Sequence, residues 1–177
     1  MKYLICSDIH GSEYYLKKVL SFFDASFDKL IILGDILYHG PRNDLPKGYN
    51  PKKVISLLNP LKNKIIAIKG NCDAEVDQMV LEFEIMDEYR FSIDNRSYFL
   101  QHGHHIDFKA INKYEADVVM YGHFHIPLLE RKGDVVLVNP GSISIPKSEE
   151  GNTFIIFENN RLLLKNLDFL TLKEFIL

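Results

Sequence analysis

The chain is 177 residues long, 46% hydrophobic and 25% charged, with a formal net charge of −3. That is enough apolar material for one domain with a buried core, spanning residues 1–177, and it disfavours both a partner held by phosphate neutralisation and a basic membrane-binding face. Two cysteines, no stretch approaching the ~20 apolar residues that span a bilayer, and no signal-peptide pattern after Met1-Lys2 point to a reducing, cytoplasmic setting with free thiols.

In chain order, Tyr3–Cys6 reads as a buried strand. Ser12 then caps a helix whose Leu16, Val19, Leu20 and Phe23 share one apolar face. Leu30–Leu33 is a second strand. Asn50-Pro51 opens a second helix, an amide cap followed by proline at the first helical position, with Val54, Leu57 and Leu58 as its buried face. Lys64–Ile68 is a third strand, and the alternation of strand and helix predicts parallel pairing with right-handed crossovers.

The second half reads mostly as β. Tyr89–Ile93 and Ser97–Leu100 flank Asp94-Asn95, Phe154–Phe157 and Leu162–Leu164 flank Asn159-Asn160, and Lys132-Gly133 offers a third turn. Val118–Tyr121 is a further apolar strand, and the tail LDFLTLKEFIL reads as a final strand covering an edge. So much antiparallel material is not expected to extend one parallel sheet. The prediction is an α/β fold with two packed sheets flanked by helices.

The chemistry lies just beyond the buried runs. LIC precedes Ser7-Asp8-Ile9-His10-Gly11, IIL precedes Gly34-Asp35, and IIAIK precedes Gly70-Asn71-Cys72-Asp73. YFLQ precedes His102-Gly103-His104, and VVMY precedes Gly122-His123-Phe124-His125. Ligands of open α/β sheets bind beyond the carboxyl ends of strands, so five such ends rich in Asp, His and Asn can converge on one pocket. All seven histidines (10, 39, 102, 104, 105, 123 and 125) fall in these turns or in the loop after Gly34. His123 and His125 are expected on the same side of an extended chain.

In order and spacing, the five motifs resemble those of the calcineurin-like metallophosphoesterases. GDILYHGPRNDLP, GNCDAEVDQM and the later NPGSISIPK resemble its small bacterial and archaeal phosphodiesterase branch. The resemblance implies a four-layer α-β-β-α sandwich of two mixed β-sheets. It also implies two divalent metal ions, one held by Asp8, His10, Asp35 and His125 and the other by Asp35, Asn71, His102 and His123. Two such ions lower the pKa of a shared water and stabilise the attacking and leaving oxygens of an anionic phosphoester. The implied reaction is attack of a metal-bridging hydroxide on phosphorus. Oxygen and imidazole donors without thiolate favour Mn, Fe, Zn, Co or Ni over Mg or Ca; Mn2+ is preferred on the resemblance.

The implied partner is a small phosphodiester or phosphate-ester substrate, with no membrane, no nucleic acid, and homo-oligomerisation left open. Beyond the metals, Arg42 is a candidate fork for phosphate oxygens, with a surface ion pair to Asp44 as the alternative. His104 is a candidate for ligand support or substrate contact, with solvation as the alternative. Cys72 stands where relatives carry a histidine that protonates the leaving oxygen. A cysteine-nucleophile phosphatase is rejected, because an acidic run follows Cys72 where a phosphate-cradling loop and an arginine are needed. Asn139-Pro140-Gly141-Ser142 reads as a turn near His123, structural punctuation first, with closure of the far side of the site as the alternative. The competing class is a protein-binding scaffold on the same fold, as in the retromer subunit of the superfamily. Retention of all seven ligand positions favours the enzyme.

Overall fold

A computed structural model describes residues 1–177. The first half forms β1 (Lys2–Cys6), α1 (Glu13–Leu20), β2 (Lys29–Ile32), α2 (Pro51–Leu58) and β3 (Ile65–Ile68). Ser12 caps α1, its hydroxyl accepting from the Tyr15 amide. Asn50 caps α2 by accepting from Lys53, with Pro51 inside the first turn. The three strands pair in parallel. Past the lysines that open β1 and β2 they are apolar, because both faces are covered. Leu4, Cys6, Leu30 and Ile32 pack with Leu16, Val19, Val54 and Leu58 of the helices. Tyr3, Ile5, Ile31 and Leu33 face the second sheet, against Tyr98, Leu100, Val118 and Met120.

The second half supplies β4 (Ile85–Met86), β5 (Glu88–Ile93), β6 (Arg96–Gln101), β7 (Val118–Met120), β8 (Pro127–Lys132), β9 (Val135–Pro140), β10 (Thr153–Glu158), β11 (Arg161–Asn166) and β12 (Thr171–Ile176). Two mixed sheets result, in the orders β12-β11-β10-β1-β2-β3-β4 and β5-β6-β7-β9-β8. The hairpins fall where expected. Asp94, Asn95, Asn159 and Asn160 all have φ of 50–60°, the left-handed pair that a two-residue type I′ turn demands and that Asn and Asp tolerate. The tail forms β12 at the edge beside β11, as predicted.

The two mixed sheets are those expected, and the partners are now visible: β10 pairs antiparallel with β1, so antiparallel strands join the parallel ones in one sheet. The cause is burial: β1 begins the sheet with one side free, and β10 offers a run buried from Thr153 to Phe157 to close it. The other sheet is mixed as well, since β6, β7 and β9 run parallel while β5 and β8 pair antiparallel at its edges. α1 stops at Leu20, and Phe23 reaches the same core from the next turn of chain. β3 begins one residue after Lys64, and β7 ends one residue before Tyr121. The outermost layer is thin. One 3-10 turn, Ile111–Tyr114, and its flanking loop lay Ile106, Ile111 and Ala116 on Phe99, Val119 and Leu137.

Candidate metal centre

At the carboxyl ends of β1, β2 and β7 the backbone turns abruptly. Asp8, His10, Asp35, His123 and His125 all have φ between 46 and 65°, a region non-glycine residues seldom occupy and hold only where their surroundings enforce it. The extended geometry expected for His123 and His125 is therefore corrected: they are left-handed residues flanking Phe124, whose amide closes a tight turn on the Gly122 carbonyl at 2.7 Å. The neighbouring glycines permit the convergence. A Cβ on Gly70 would overlap the Asp35 side chain, and one on Gly122 would overlap the Ser7 hydroxyl.

The side chains of the five strand ends meet. Asp8 Oδ1 lies 3.1 Å from His125 Nε2 and 3.7 Å from His10 Nε2. Asp35 Oδ2 lies 3.7 Å from His10 Nε2 and 3.4 Å from His102 Nε2. Asn71 Oδ1 lies 3.1 Å from His102 Nε2 and 2.8 Å from His123 Nδ1. All seven expected ligands thus form one connected cluster, with Asp35 in contact with both halves.

The rings are oriented from behind. The Nδ1–H groups of His10, His102 and His125 donate to the carbonyls of Tyr38 (2.8 Å), Leu33 (2.6 Å) and Ile145 (2.6 Å). A carbonyl only accepts, so each neutral ring keeps its proton on Nδ1 and turns the Nε2 lone pair inward, the arrangement of a metal-ligating histidine. Inside the cluster, donors are short. Asp8 Oδ1 is buried without a hydrogen bond, and the Nε2 atoms of His10 and His125 face each other at 3.3 Å.

Electrostatics say the same. Burial would push the Asp8 carboxyl up, but the His10, His125 and His102 imidazoles crowded around it outweigh that and hold it below the usual range. Burial would favour neutral His102, but Asp35 and Asp8 raise it to about 9. A buried set of lone pairs that draws protons onto its own imidazoles is one that cations satisfy. Asp8, His10 and His125 form one group whose ligand atoms lie within 4.8 Å of one another, and Asp8, Asp35 and His102 form another. Carboxylate, imidazole and amide donors suit borderline divalent ions, so the residues present fit the two-ion expectation.

The cluster opens into a cavity of about 770 Å³ lined by His10, Asp35, Tyr38, Arg42, Asn71, Cys72, His123 and Lys147 among others. Cys72 is half-buried, its amide donating to Asp35 Oδ1 at 2.8 Å. Burial and the Asp35 charge push its thiol up to about 12, so it is not a thiolate nucleophile. Arg42 lines the cavity, and the lysine and arginine ion pairs of the surface involve neither it nor Asp44. His104 does not line this cavity. Its ring lies tilted against His105 at 3.9 Å and packs behind His102 and His123 at 5.4 and 6.0 Å, bordering a separate space of about 200 Å³ with Lys69, Asp87 and Gln101. His39 packs edge-on against Tyr38 and Tyr49.

Three features go beyond the sequence-based expectations. Lys147 reaches the cavity from the end of NPGSISIPK. Ser142 and Ser144 bond to the Asp8 carbonyl. Asp73, which in the sequence is only part of an acidic run, accepts from the amides of Asp35 (2.8 Å), Ile36 (2.7 Å) and Gly70 (2.7 Å), binding the end of β2 to the end of β3. Burial pushes this carboxyl up while the three donors favour its ionised form. Asp73→Ala would leave three amides without their acceptor, at roughly 1–3 kcal/mol for each buried orphan. With about 3 kcal/mol lost, the melting temperature should fall by about 6–12 °C; calorimetry showing a shift under about 2 °C would contradict that role.

Comparison with known proteins agrees with this geometry. Residues 1–161 match the calcineurin-like phosphoesterase superfamily domain. The chain is 44% identical over 167 residues to the phosphodiesterase YfcE of Escherichia coli K12, covering 92% of this chain and 90% of that one. Its fold superposes on the structure of E. coli YfcE, described as a phosphoesterase, with a TM-score of 0.92, 41% identity and 99% of each chain covered. Vacuolar protein sorting 29 of Cryptosporidium parvum shares the fold at a TM-score of 0.69 but only 14% identity, over 99% of this chain and 97% of that one. A matched domain covering all five motifs, with the side chains of those motifs gathered at one rim, means that this chain belongs to the calcineurin-like phosphoesterase superfamily.

Proposed function

We propose that the chain is a metal-dependent phosphodiesterase, one domain over residues 1–177, working on a small phosphodiester in the cytoplasm. The observation that carries it is the inward-facing set of Nε2 lone pairs, each fixed by a carbonyl behind it, around Asp8 and Asp35. Asp8, His10, Asp35 and His125 would hold one divalent ion, and Asp35, Asn71, His102 and His123 the other. When bound, such ions activate water and neutralise charge on the phosphoryl oxygens. Manganese is the preferred metal, on likeness to the small phosphodiesterase branch. No helix is long and apolar enough to cross a membrane, and a net charge of −3 gives no support to a nucleic-acid substrate.

The chain's own contribution is placement. Asp35 holds the Cys72 amide, which fixes the wall of the cavity next to the cluster. Arg42 and Lys147 bring two cations to that cavity, where charge-assisted hydrogen bonds orient an anionic diester. Lys147 is anchored by its amide, which donates to the His125 carbonyl at 3.0 Å. Arg42→Ala and Lys147→Ala should each raise KM for bis(p-nitrophenyl) phosphate by about tenfold, with less effect on kcat. An unchanged KM in either variant removes that residue from the substrate site.

The whole reading is tested by stripping metal with a chelator and following bis(p-nitrophenyl) phosphate hydrolysis as Mn2+ is returned. Turnover should vanish and recover. Metal binding without turnover of any phosphoester would favour the scaffold reading instead.

A further inference from the structure

The segment Asn139–Lys147, whose first four residues read in the sequence as a turn, lies directly behind the candidate metal centre. Ser142 and Ser144 are both buried, and their hydroxyls donate to the Asp8 carbonyl at 2.9 and 2.8 Å. The direction of the Ser142 bond is fixed. Its oxygen already accepts from the amides of Ser144 (3.2 Å) and Ile145 (2.9 Å), leaving the proton for Asp8. Between the serines, the Ile143 amide donates to the carbonyl of Ser7 at 3.2 Å. Two successive carbonyls at the end of β1 are therefore held by three consecutive residues.

What they hold is a strained residue. Asp8 has a φ of 55°, and an L-residue keeps that conformation only where its surroundings over-determine it. Its carbonyl takes two hydroxyl donors, its Oδ2 accepts from the His123 amide at 3.1 Å, and its Oδ1 is left for the centre. The same segment fixes His125, through Ile145 O on the ring and the Lys147 amide on the backbone. It also fixes the turn before His123, since Asn139 Nδ2 donates to the Gly122 carbonyl at 2.8 Å.

We propose that Ser142 and Ser144 are positioning residues for the metal centre: by holding the Asp8 carbonyl they keep its carboxylate aimed at the ion it shares with His10 and His125. This rests on the two-ion reading of the site. A purely structural role would tie the segment to β1 for the sake of the fold alone. The two roles separate at Ser144, whose hydroxyl has a single bond, the one to Asp8.

The experiment compares wild type with Ser144→Ala and Ser144→Thr. Mn2+ affinity is measured on metal-free protein by the loss of the free-ion paramagnetic resonance signal, and the metal-free melting temperature is recorded in parallel. Partners behind metal ligands typically alter affinity by about 10–100-fold. The expected result for Ser144→Ala is about tenfold weaker binding of the tighter Mn2+ with little change in metal-free melting, and recovery in Ser144→Thr, which keeps the hydroxyl. A lower melting temperature with unchanged Mn2+ affinity overturns the proposal. So does an equal loss in both variants, because the hydroxyl would then not be the cause. Should the alanine variant not fold, Ser144→Cys keeps the volume with a weak donor and is held to the same affinity criterion. Absence of Mn2+ binding in the wild type is a different failure: it removes the two-ion reading, and the proposal with it.

Discussion

Replacing Asp35 with asparagine should reduce hydrolysis of bis(p-nitrophenyl) phosphate by at least about 10³-fold, roughly 4 kcal/mol of lost transition-state stabilisation. Asp35 Oδ2 touches both halves of the cluster, at 3.7 Å from His10 and 3.4 Å from His102. The substitution removes a negative charge from between two proposed dications and leaves one oxygen where there were two. That oxygen is already engaged by the Cys72 amide. The backbone should stay in place, because the Asp35 amide is held by Asp73 and not by its own side chain. Metal analysis should show occupancy falling from two ions towards one. A variant within tenfold of wild-type kcat/KM would mean that Asp35 does not bridge.

Cys72→His should have the opposite effect, raising turnover on diesters with poor, alkyl leaving groups by about 10²-fold, within the range of a positioned general acid. The thiol lines the cavity beside the cluster, but burial and Asp35 keep it protonated and it is only a weak donor. An imidazole there, with a reference pKa near ~6.5, supplies a proton donor at neutral pH and opens into free volume. On bis(p-nitrophenyl) phosphate, whose leaving group needs no protonation, the gain should be under about tenfold. Steady-state rates across a series of leaving groups provide the check. A fall of tenfold or more would show that the thiol takes an active part in the reaction.

The proposed ligands are readable in the sequence because each lies at a recurring junction: a buried apolar run, then Asp, Asn or His with a glycine close by. Such a junction is a local event, and local chemistry leaves a local record. The Asp94-Asn95 and Asn159-Asn160 turns are legible for the same reason, since few residues tolerate consecutive positive φ. Partnerships at long range leave no such record. Nothing in the periodicity of Thr153–Glu158 says that its neighbour is Lys2–Cys6. Nothing in Gly-Ser-Ile-Ser says that its hydroxyls meet a carbonyl near the start of the chain. The role of Asp73 is hidden because its charge is visible in the sequence and its three donors are not. The turn through His123 and His125 is hidden because alternation suggests a strand where the backbone is left-handed.

The pairing of β1 with β10 also sets an order of events during synthesis. All seven proposed ligands have been translated once His125 is made, yet Asp8 sits at the end of a strand whose second neighbour does not begin until Thr153. A nascent chain carrying every ligand therefore still lacks both the partner strand that closes β1 and the serines that hold its last turn. Helices and hairpins can form as they emerge, but the proposed centre waits until the residues from Asn139 onward fold back over the first strand. The geometry proposed to hold ions is in this sense a record of the arrival of β10.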